Sequence, residues 1–277
     1  MSGVNDNHDS RLSYEENDNE PKSRGTAQAY LFAFDFDHTI INLNSDYEFP
    51  NLIDTPLPES ISDRNKEVSF IEYMNSVFRF LHSQNASIAD LREFIRKLEP
   101  TKGMVSLLTS LVRYKQSQGD SIKLLVISDS NDLTISEWLK AQIIDRLPST
   151  PTQFPFDVIT NTSIIHETEG LLQVKGYEHQ TSCRTCPSNL CKGSALKKYT
   201  DLHGPFTRTF YVGDGFNDIC PTLNLSSQCF VFPRINYYMY KWLQKDDNKK
   251  RLKANIVFWD DANVIHNTIR SHVVEFK

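Results

Sequence analysis

The sequence predicts an α/β fold, a doubly wound parallel sheet with an inserted helical cap. Short apolar runs recur at Leu31–Phe34, Lys123–Ile127, Val158–Ile159 and Thr209–Val212. Helical patterns come between them, the alternation of a parallel sheet wrapped by helices. The first, second and fourth runs end in small or acidic residues, at the strand ends where open sheets of this kind bind ligands.

The chain has 277 residues, room for one large α/β domain or a core with an inserted module. Its 39% hydrophobic and 23% charged residues predict a sizeable core. The first segment, 1–28, is rich in Asn, Asp, Glu and Ser and has no apolar stretch of the kind a signal peptide carries. It reads as a disordered polar tail. The first apolar run then leads into Asp35-Phe36-Asp37-His38-Thr39. Two aspartates one residue apart point to the same side of an extended strand. Such close carboxylates resist joint ionisation without a cation or a shared proton. Mg²⁺, a hard oxygen-seeking ion, meets that need. One carboxylate can then attack while the other moves protons.

Helical spacing follows, with Phe70, Ile71, Met74, Val77, Phe78 and Leu81, then Leu91, Phe94, Ile95 and Leu98. Ser87-Ile88-Ala89-Asp90 is a helix start, and Pro100 and Gly103 break the pattern. Residues 46–100 are read as a helical cap, placed to act as a lid or simply as a structural subdomain. The core takes 29–45 and 101–277. Val105 to Tyr114 reads as a helix leading back to the second strand.

That strand ends in Ser128-Asp129-Ser130-Asn131. A hydroxyl and the following amides there can bind a phosphate. The same residues also suit a plain cap for the helix carrying Leu133, Ile135 and Trp138. A smaller insertion near 145–191 is rich in Pro, Thr and Ser and holds a cysteine cluster. Lys192 follows and opens a helix from Ser194 to Tyr199. It could neutralise both a phosphate and a nucleophile, or lie on the surface. The fourth strand ends in Gly213-Asp214-Gly215-Phe216-Asn217-Asp218. Asp214 can reach a metal there and Asp218 can orient the site from behind, unless the segment is an ordinary Asp-Gly turn. Tyr237, Tyr238, Tyr240 and Trp242 read as core packing.

Asp35 and Asp37, the strand-end Ser128, Lys192 and the Asp214–Asp218 motif, in this order, resemble the haloacid dehalogenase-like phosphohydrolases, over about Tyr30 to Trp259. The resemblance implies their Rossmannoid core and an aspartyl-phosphate mechanism. Asp35 would be the nucleophile and Asp37 the proton donor and base. Asp35, the Asp37 backbone carbonyl and Asp214 would hold Mg²⁺, and Ser128 and Lys192 would bind the phosphoryl group. The chain is also similar to the phosphoethanolamine/phosphocholine phosphatase family, which includes pyridoxal-phosphate phosphatases. The residues that carry this are Asp35 to Ile41 with Asn44-Ser45-Asp46, Ser128 to Asn131, Cys183 to Lys192, and Tyr211 to Asp218 with Cys220-Pro221. It implies that Asp46 and Asp129 contact substrate. Extra carboxylates beside a phosphate dianion call for a cationic leaving group, such as an ethanolamine or choline ammonium or a protonated pyridine ring. A choline head would also favour an aromatic wall. Tyr47 and Phe49 are nearby in sequence but read as core packing. The expected substrate is therefore a small cationic phosphate monoester: phosphoethanolamine, phosphocholine or pyridoxal 5'-phosphate. A broader phosphatase, a phosphotransferase and a non-catalytic scaffold are the rivals.

His179, Cys183, Cys186 and Cys191 offer a Cys₃His set able to close a tetrahedral Zn²⁺ site, or three plain reduced thiols. Five cysteines without a secretion signal predict a reducing, cytoplasmic compartment. A net charge of −5 without a basic block predicts no large nucleic-acid surface. The apolar runs fall far short of the ~20 residues that a membrane helix needs.

Overall fold

A computed structural model describes residues 28–62 and 68–276. All of the expected polar tail except Gln28 lies outside them. Among the described residues seven strands form one sheet: β1 Tyr30–Phe34, β2 Ile122–Asn131, β3 Phe156–His166, β4 Leu171–Lys175, β5 Arg208–Gly213, β6 Phe230–Pro233 and β7 Asn255–Ile256. Their order across the sheet is β4-β3-β2-β1-β5-β6-β7, and every pairing is parallel except β3 with β4. The expected α/β class is borne out. β4, β6 and β7 are additions to the four apolar runs. β4 is only partly buried, β6 has four residues and β7 has two, too few to show a pattern.

The central strands are buried on both faces, so their sequences read as continuous apolar runs. Alternation decides which side each residue serves. Tyr30, Phe32 and Phe34 of β1 join Leu124 and Val126 of β2, Phe210 and Val212 of β5 and Phe232 of β6 on one face. Leu31, Ala33, Leu125, Ile127, Tyr211 and Val231 line the other. Helices Phe70–Ser83, Ile88–Lys97, Met104–Gln118, Asp132–Gln142 and Ala262–His272 contribute to the first face. Lys192–His203 and Tyr238–Leu243 cover the second.

The helices at 70–83 and 88–97 start as their sequences dictate. Ser69 with Glu72, and Ser87 with Asp90, form reciprocal capping boxes, each stabilising its helix by about 1 kcal/mol. Their buried side chains, among them Val77, Phe78, Leu91 and Ile95, belong to the same cluster as the sheet residues. Asn75 bridges to β4 by donating to the Val174 carbonyl at 2.9 Å and accepting from its N–H at 2.7 Å. Arg92 and Arg96 both pair with Glu137 on the Asp132–Gln142 helix. The Trp138 indole donates to the Leu98 carbonyl at 2.8 Å. Both ends of the helical segment return to the loop after β1. Asn42 N–H donates to the Glu99 carbonyl at 2.8 Å and Thr101 N–H to that of Ile40 at 3.0 Å. The charged stretch near 245–253 holds the short exposed helix Asp246–Lys249. Among the described residues no helix is long and apolar enough to cross a membrane.

Candidate active site

The parallel strands β1, β2 and β5 end side by side, which brings three distant segments together. Asp35 N–H still pairs with the Val212 carbonyl at 2.9 Å, so Asp35 extends β1 into the site. The chain then turns sharply. Ile40 N–H reaches back to the Phe36 carbonyl at 2.8 Å, and His38 sits in the left-handed region at φ 54°. Asp37 accepts from Ser45 N–H at 2.7 Å, and the Ser45 hydroxyl meets that of Ser130 at 3.2 Å.

Asp35, Asp37, Asp46, Ser128, Asp129 and Asp214 all line one cavity of about 380 Å³. His38, Asn44, Phe70, Pro187, Gly215 and Asn217 complete its wall. Five carboxylates face this space and, among the described residues, no lysine or arginine does. Lys192 lies behind them, fully buried, with its Nζ 2.7 Å from Asp35 Oδ1 and 2.9 Å from Asp218 Oδ1.

Asp218 is a fastening point rather than a wall. Its Oδ1 accepts from Lys192 and from the Tyr211 hydroxyl at 2.7 Å. Its Oδ2 accepts from the N–H groups of Asp214, at 3.1 Å, and Gly215, at 2.9 Å. A side chain at Gly213 would stand 2.5 Å from the Asp218 carboxyl carbon, so glycine is required for this closure. Asp214 receives the Thr39 hydroxyl at 3.4 Å.

Asp129 is held from two sides. Asn189 Nδ2 donates to its Oδ1 at 3.1 Å, and the Asn217 amide donates to its Oδ2. Asn189 is steadied in turn by Asn161 Oδ1 at 3.1 Å. Neither Asn189 nor Asn217 was singled out from sequence, although both lie inside the quoted motifs. Amides carry no charge, and nothing local tells a clamp from a turn residue.

Burial dominates the electrostatics. It raises the Asp35 carboxyl well above its usual range, countered by Lys192 and reinforced by Asp218 and Asp214. Burial lifts Asp37 to about 6, against the opposing hydrogen bonds from Ser45. Asp214 rises to about 7 through burial and the neighbouring Asp218 charge. Asp129 is raised by burial, while Lys192 and the Asn217 amide pull the other way. Burial works against the Lys192 charge, but Asp218, Asp35 and Asp129 outweigh it and hold the ammonium above its ordinary value.

The donor set suits a hard divalent cation. Asp35, Asp214 and Asp218 offer oxygens that all lie within 4.8 Å of one another, and all three residues are buried. Since both oxygens of Asp218 already accept two bonds each, Asp35 and Asp214 are the better placed ligands.

The cysteine expectation needs correction. Cys183, Cys186 and Cys191 do converge, but the fourth member of the group is Cys220. His179 is exposed and lies outside it, on the wall of a neighbouring groove with Ser69 and Tyr177. The chain direction after Cys186 turns the sulfurs toward the segment following Asp218, which sequence spacing cannot reveal. The aromatic expectations divide. Phe49 is core, flanked by Phe78 at 5.0 Å and Phe94 at 5.8 Å, whereas Tyr47 is exposed. The aromatic residue on the cavity wall is Phe70. In the later aromatic run, Trp242 packs partly against the core, while Tyr238 is exposed and rests edge-on against Phe216 at 5.0 Å.

Residues 30–273 match the family described as "Putative Phosphatase". The chain belongs to this phosphatase family. It is 32% identical over 238 residues to the pyridoxal phosphate phosphatase PHOSPHO2 of Mus musculus, covering 84% of this chain and 93% of the relative. It is 31% identical over 249 residues to the phosphoethanolamine/phosphocholine phosphatase of Homo sapiens, covering 85% and 86%. Among solved structures, a phospho-aspartyl intermediate analogue of phosphoserine phosphatase aligns with a TM-score of 0.52 at 18% identity, over 87% of this chain and 99% of that one. Cytosolic 5'-nucleotidase IIIB bound to cytidine aligns with a TM-score of 0.51 at 13% identity, over 88% and 85%. These likenesses give the fold, one shared with a phosphoserine phosphatase and a 5'-nucleotidase. Membership of this family makes the chain a phosphoric monoester hydrolase.

Proposed function

We propose that the chain is a Mg²⁺-dependent phosphomonoesterase that cleaves a small cationic phosphate ester through an aspartyl-phosphate on Asp35. The observation that carries the proposal is the cavity itself, walled by five carboxylates with the charge of Lys192 set behind Asp35. A phosphate dianion entering such a space needs positive charge from the metal, the lysine and its own leaving group.

The roles follow from position. The Asp35 carboxylate attacks phosphorus while the bond to the leaving oxygen breaks, and Asp37 delivers a proton to that oxygen. With its carboxyl lifted to about 6, Asp37 exchanges protons readily near neutrality. It then takes a proton from the water that attacks the phosphoryl group, which frees phosphate and restores Asp35. Mg²⁺, held by Asp35, the Asp37 carbonyl and Asp214, would supply charge neutralisation for the phosphoryl oxygens. Ser128 would donate to the phosphoryl group. Lys192 restrains Asp35, and Asp218 fixes both Lys192 and the Asp214 backbone.

Asp46 and Asp129 would face the leaving group. Phosphoethanolamine, phosphocholine and pyridoxal phosphate all carry positive charge in that part of the molecule, and the relatives named for them support this class. Phe70 offers an aromatic wall to such a cation.

Phosphate release from these three esters, a sugar phosphate and p-nitrophenyl phosphate, with Mg²⁺ present or chelated, tests the proposal. Release should need Mg²⁺, and Asp35→Asn should lower it at least about 10³-fold with the fold retained. Asp129→Ala should cost more with the preferred cationic ester than with p-nitrophenyl phosphate. Equal losses on both would remove cation recognition, and substantial turnover by Asp35→Asn would remove the nucleophile.

A further inference from the structure

The segment between β4 and the Lys192–His203 helix forms no regular element. Leu190 is its one buried apolar side chain apart from the cysteines. Yet this segment must deliver Asn189 to Asp129 and Lys192 to Asp35. A loop with so little apolar packing needs another fastening to hold two polar groups in place.

Four cysteine sulfurs gather at its far end. Those of Cys183, Cys186, Cys191 and Cys220 all lie within 4.8 Å of one another. Cys183 and Cys220 are 3.6 Å apart, and Cys191 and Cys220 3.9 Å. All are free thiols, and these separations far exceed the ~2.05 Å of a disulfide. A tetrahedron with Zn–S bonds of about 2.3 Å places its sulfurs about 3.8 Å apart. The two measured separations bracket that value. Gly193 packs so tightly on Cys220 that an added Cβ would lie 2.5 Å from its sulfur, so the arrangement depends on a glycine beside Lys192.

We infer that Cys183, Cys186, Cys191 and Cys220 form a closed structural Zn²⁺ site that ties the loop bearing Lys192 to the loop bearing Asp218. Binding displaces the thiol protons and leaves four thiolates around the ion. Three ligands come from the segment before Lys192. The fourth stands two residues after Asp218 and three after Asn217. The ion thereby fixes the spacing between the two loops that clamp Asp129 and neutralise Asp35. No position is left open on it, so it is distinct from the Mg²⁺ site and takes no part in the chemistry.

The test uses the full chain, purified without chelator and without a metal-affinity step. Elemental analysis should find about one zinc per chain, as a closed four-ligand site requires. After replacement with cobalt(II), the protein should show the intense visible bands of a tetrahedral tetrathiolate centre. Cys220→Ser should lose the zinc or hold it weakly, and His179→Ala should keep all of it. Absence of zinc, or iron in its place, would overturn the inference. So would full zinc in Cys220→Ser, or its loss in His179→Ala. Should Cys220→Ser fail to fold, the charge-transfer intensity of the wild-type cobalt protein still decides. Four thiolates support the site, and three or fewer refute it.

Discussion

Lys192→Met removes the positive charge that stands between Asp35 and Asp218 while keeping most of the side chain's volume. The ammonium lies 2.7 Å from one carboxylate and 2.9 Å from the other, with no solvent exposure. Breaking a buried ion pair by deleting one partner costs about 3–5 kcal/mol, because the other charge stays buried without compensation. At about 2–4 °C per kcal/mol, the melting temperature should fall by roughly 6–20 °C. The pH dependence distinguishes this cause from lost packing. Asp35 and Asp214 already have raised carboxyl pKa values in the fold, and losing the lysine raises them further. A carboxyl with a raised folded pKa contributes stability that is present below its unfolded value and lost as pH rises through the folded one. The deficit of the variant should therefore be small near pH 4 and grow toward neutrality. Urea unfolding without added Mg²⁺, followed by fluorescence of the buried Trp138 and Trp259, measures it. A deficit below about 1 kcal/mol at neutral pH, or one equally large near pH 4, would refute the reasoning.

Phe49→Ala should destabilise the fold by about 3–5 kcal/mol, since the ring is fully buried between Phe78 and Phe94, and a lower urea midpoint would register it. Glu137→Ala should cost only about 1–2 kcal/mol, because the partner side chains of Arg92 and Arg96 are 38% and 49% exposed and can return to water. A loss above that range in calorimetry would mean that the pairs are shielded from solvent.

Six of the twelve residues lining the cavity were legible as candidates, because their chemistry is charged or polar and their strands are apolar. The run from Tyr30 to Phe34 has every side chain buried, and such a strand can be read without knowing its partners. Asp35 and Asp214 directly follow β1 and β5, and Ser128 lies among the last four residues of β2, so one inference about a parallel sheet located all three. The antiparallel β4 was hidden because only Leu172 and Val174 of its five residues are buried. Cys220 escaped because it approaches the other cysteines through the packing of the Lys192–His203 helix on the loop after Asp218. Phe70 and Phe49 show the same limit. Both are aromatic residues of the helical segment, and only the fold decides which lines the cavity and which fills the core.

The two loops that carry Lys192 and Asp218 each do a double task, and this makes selectivity separable from catalysis. One supplies Lys192 to Asp35 and Asn189 to Asp129, and the other supplies Asp214 to the cavity, Asp218 to Lys192 and Asn217 to Asp129. The two amides leave Asp129 little freedom, so its carboxylate is fixed before substrate arrives. Under the proposed function, such preorganisation would favour a ligand cation at a set distance from the transferred phosphate. Asn217→Ala should release one carboxylate oxygen while leaving the Lys192–Asp35 contact intact. A hydrogen bond to a charged group is worth about 1.5–3 kcal/mol, so kcat/KM for the preferred cationic ester should fall at least about tenfold. With p-nitrophenyl phosphate, which carries no positive group for Asp129 to meet, the change should stay within about threefold. Equal losses on the two substrates would place Asn217 in service of the phosphoryl chemistry instead. Retention of full selectivity would mean that Asn189 alone holds Asp129.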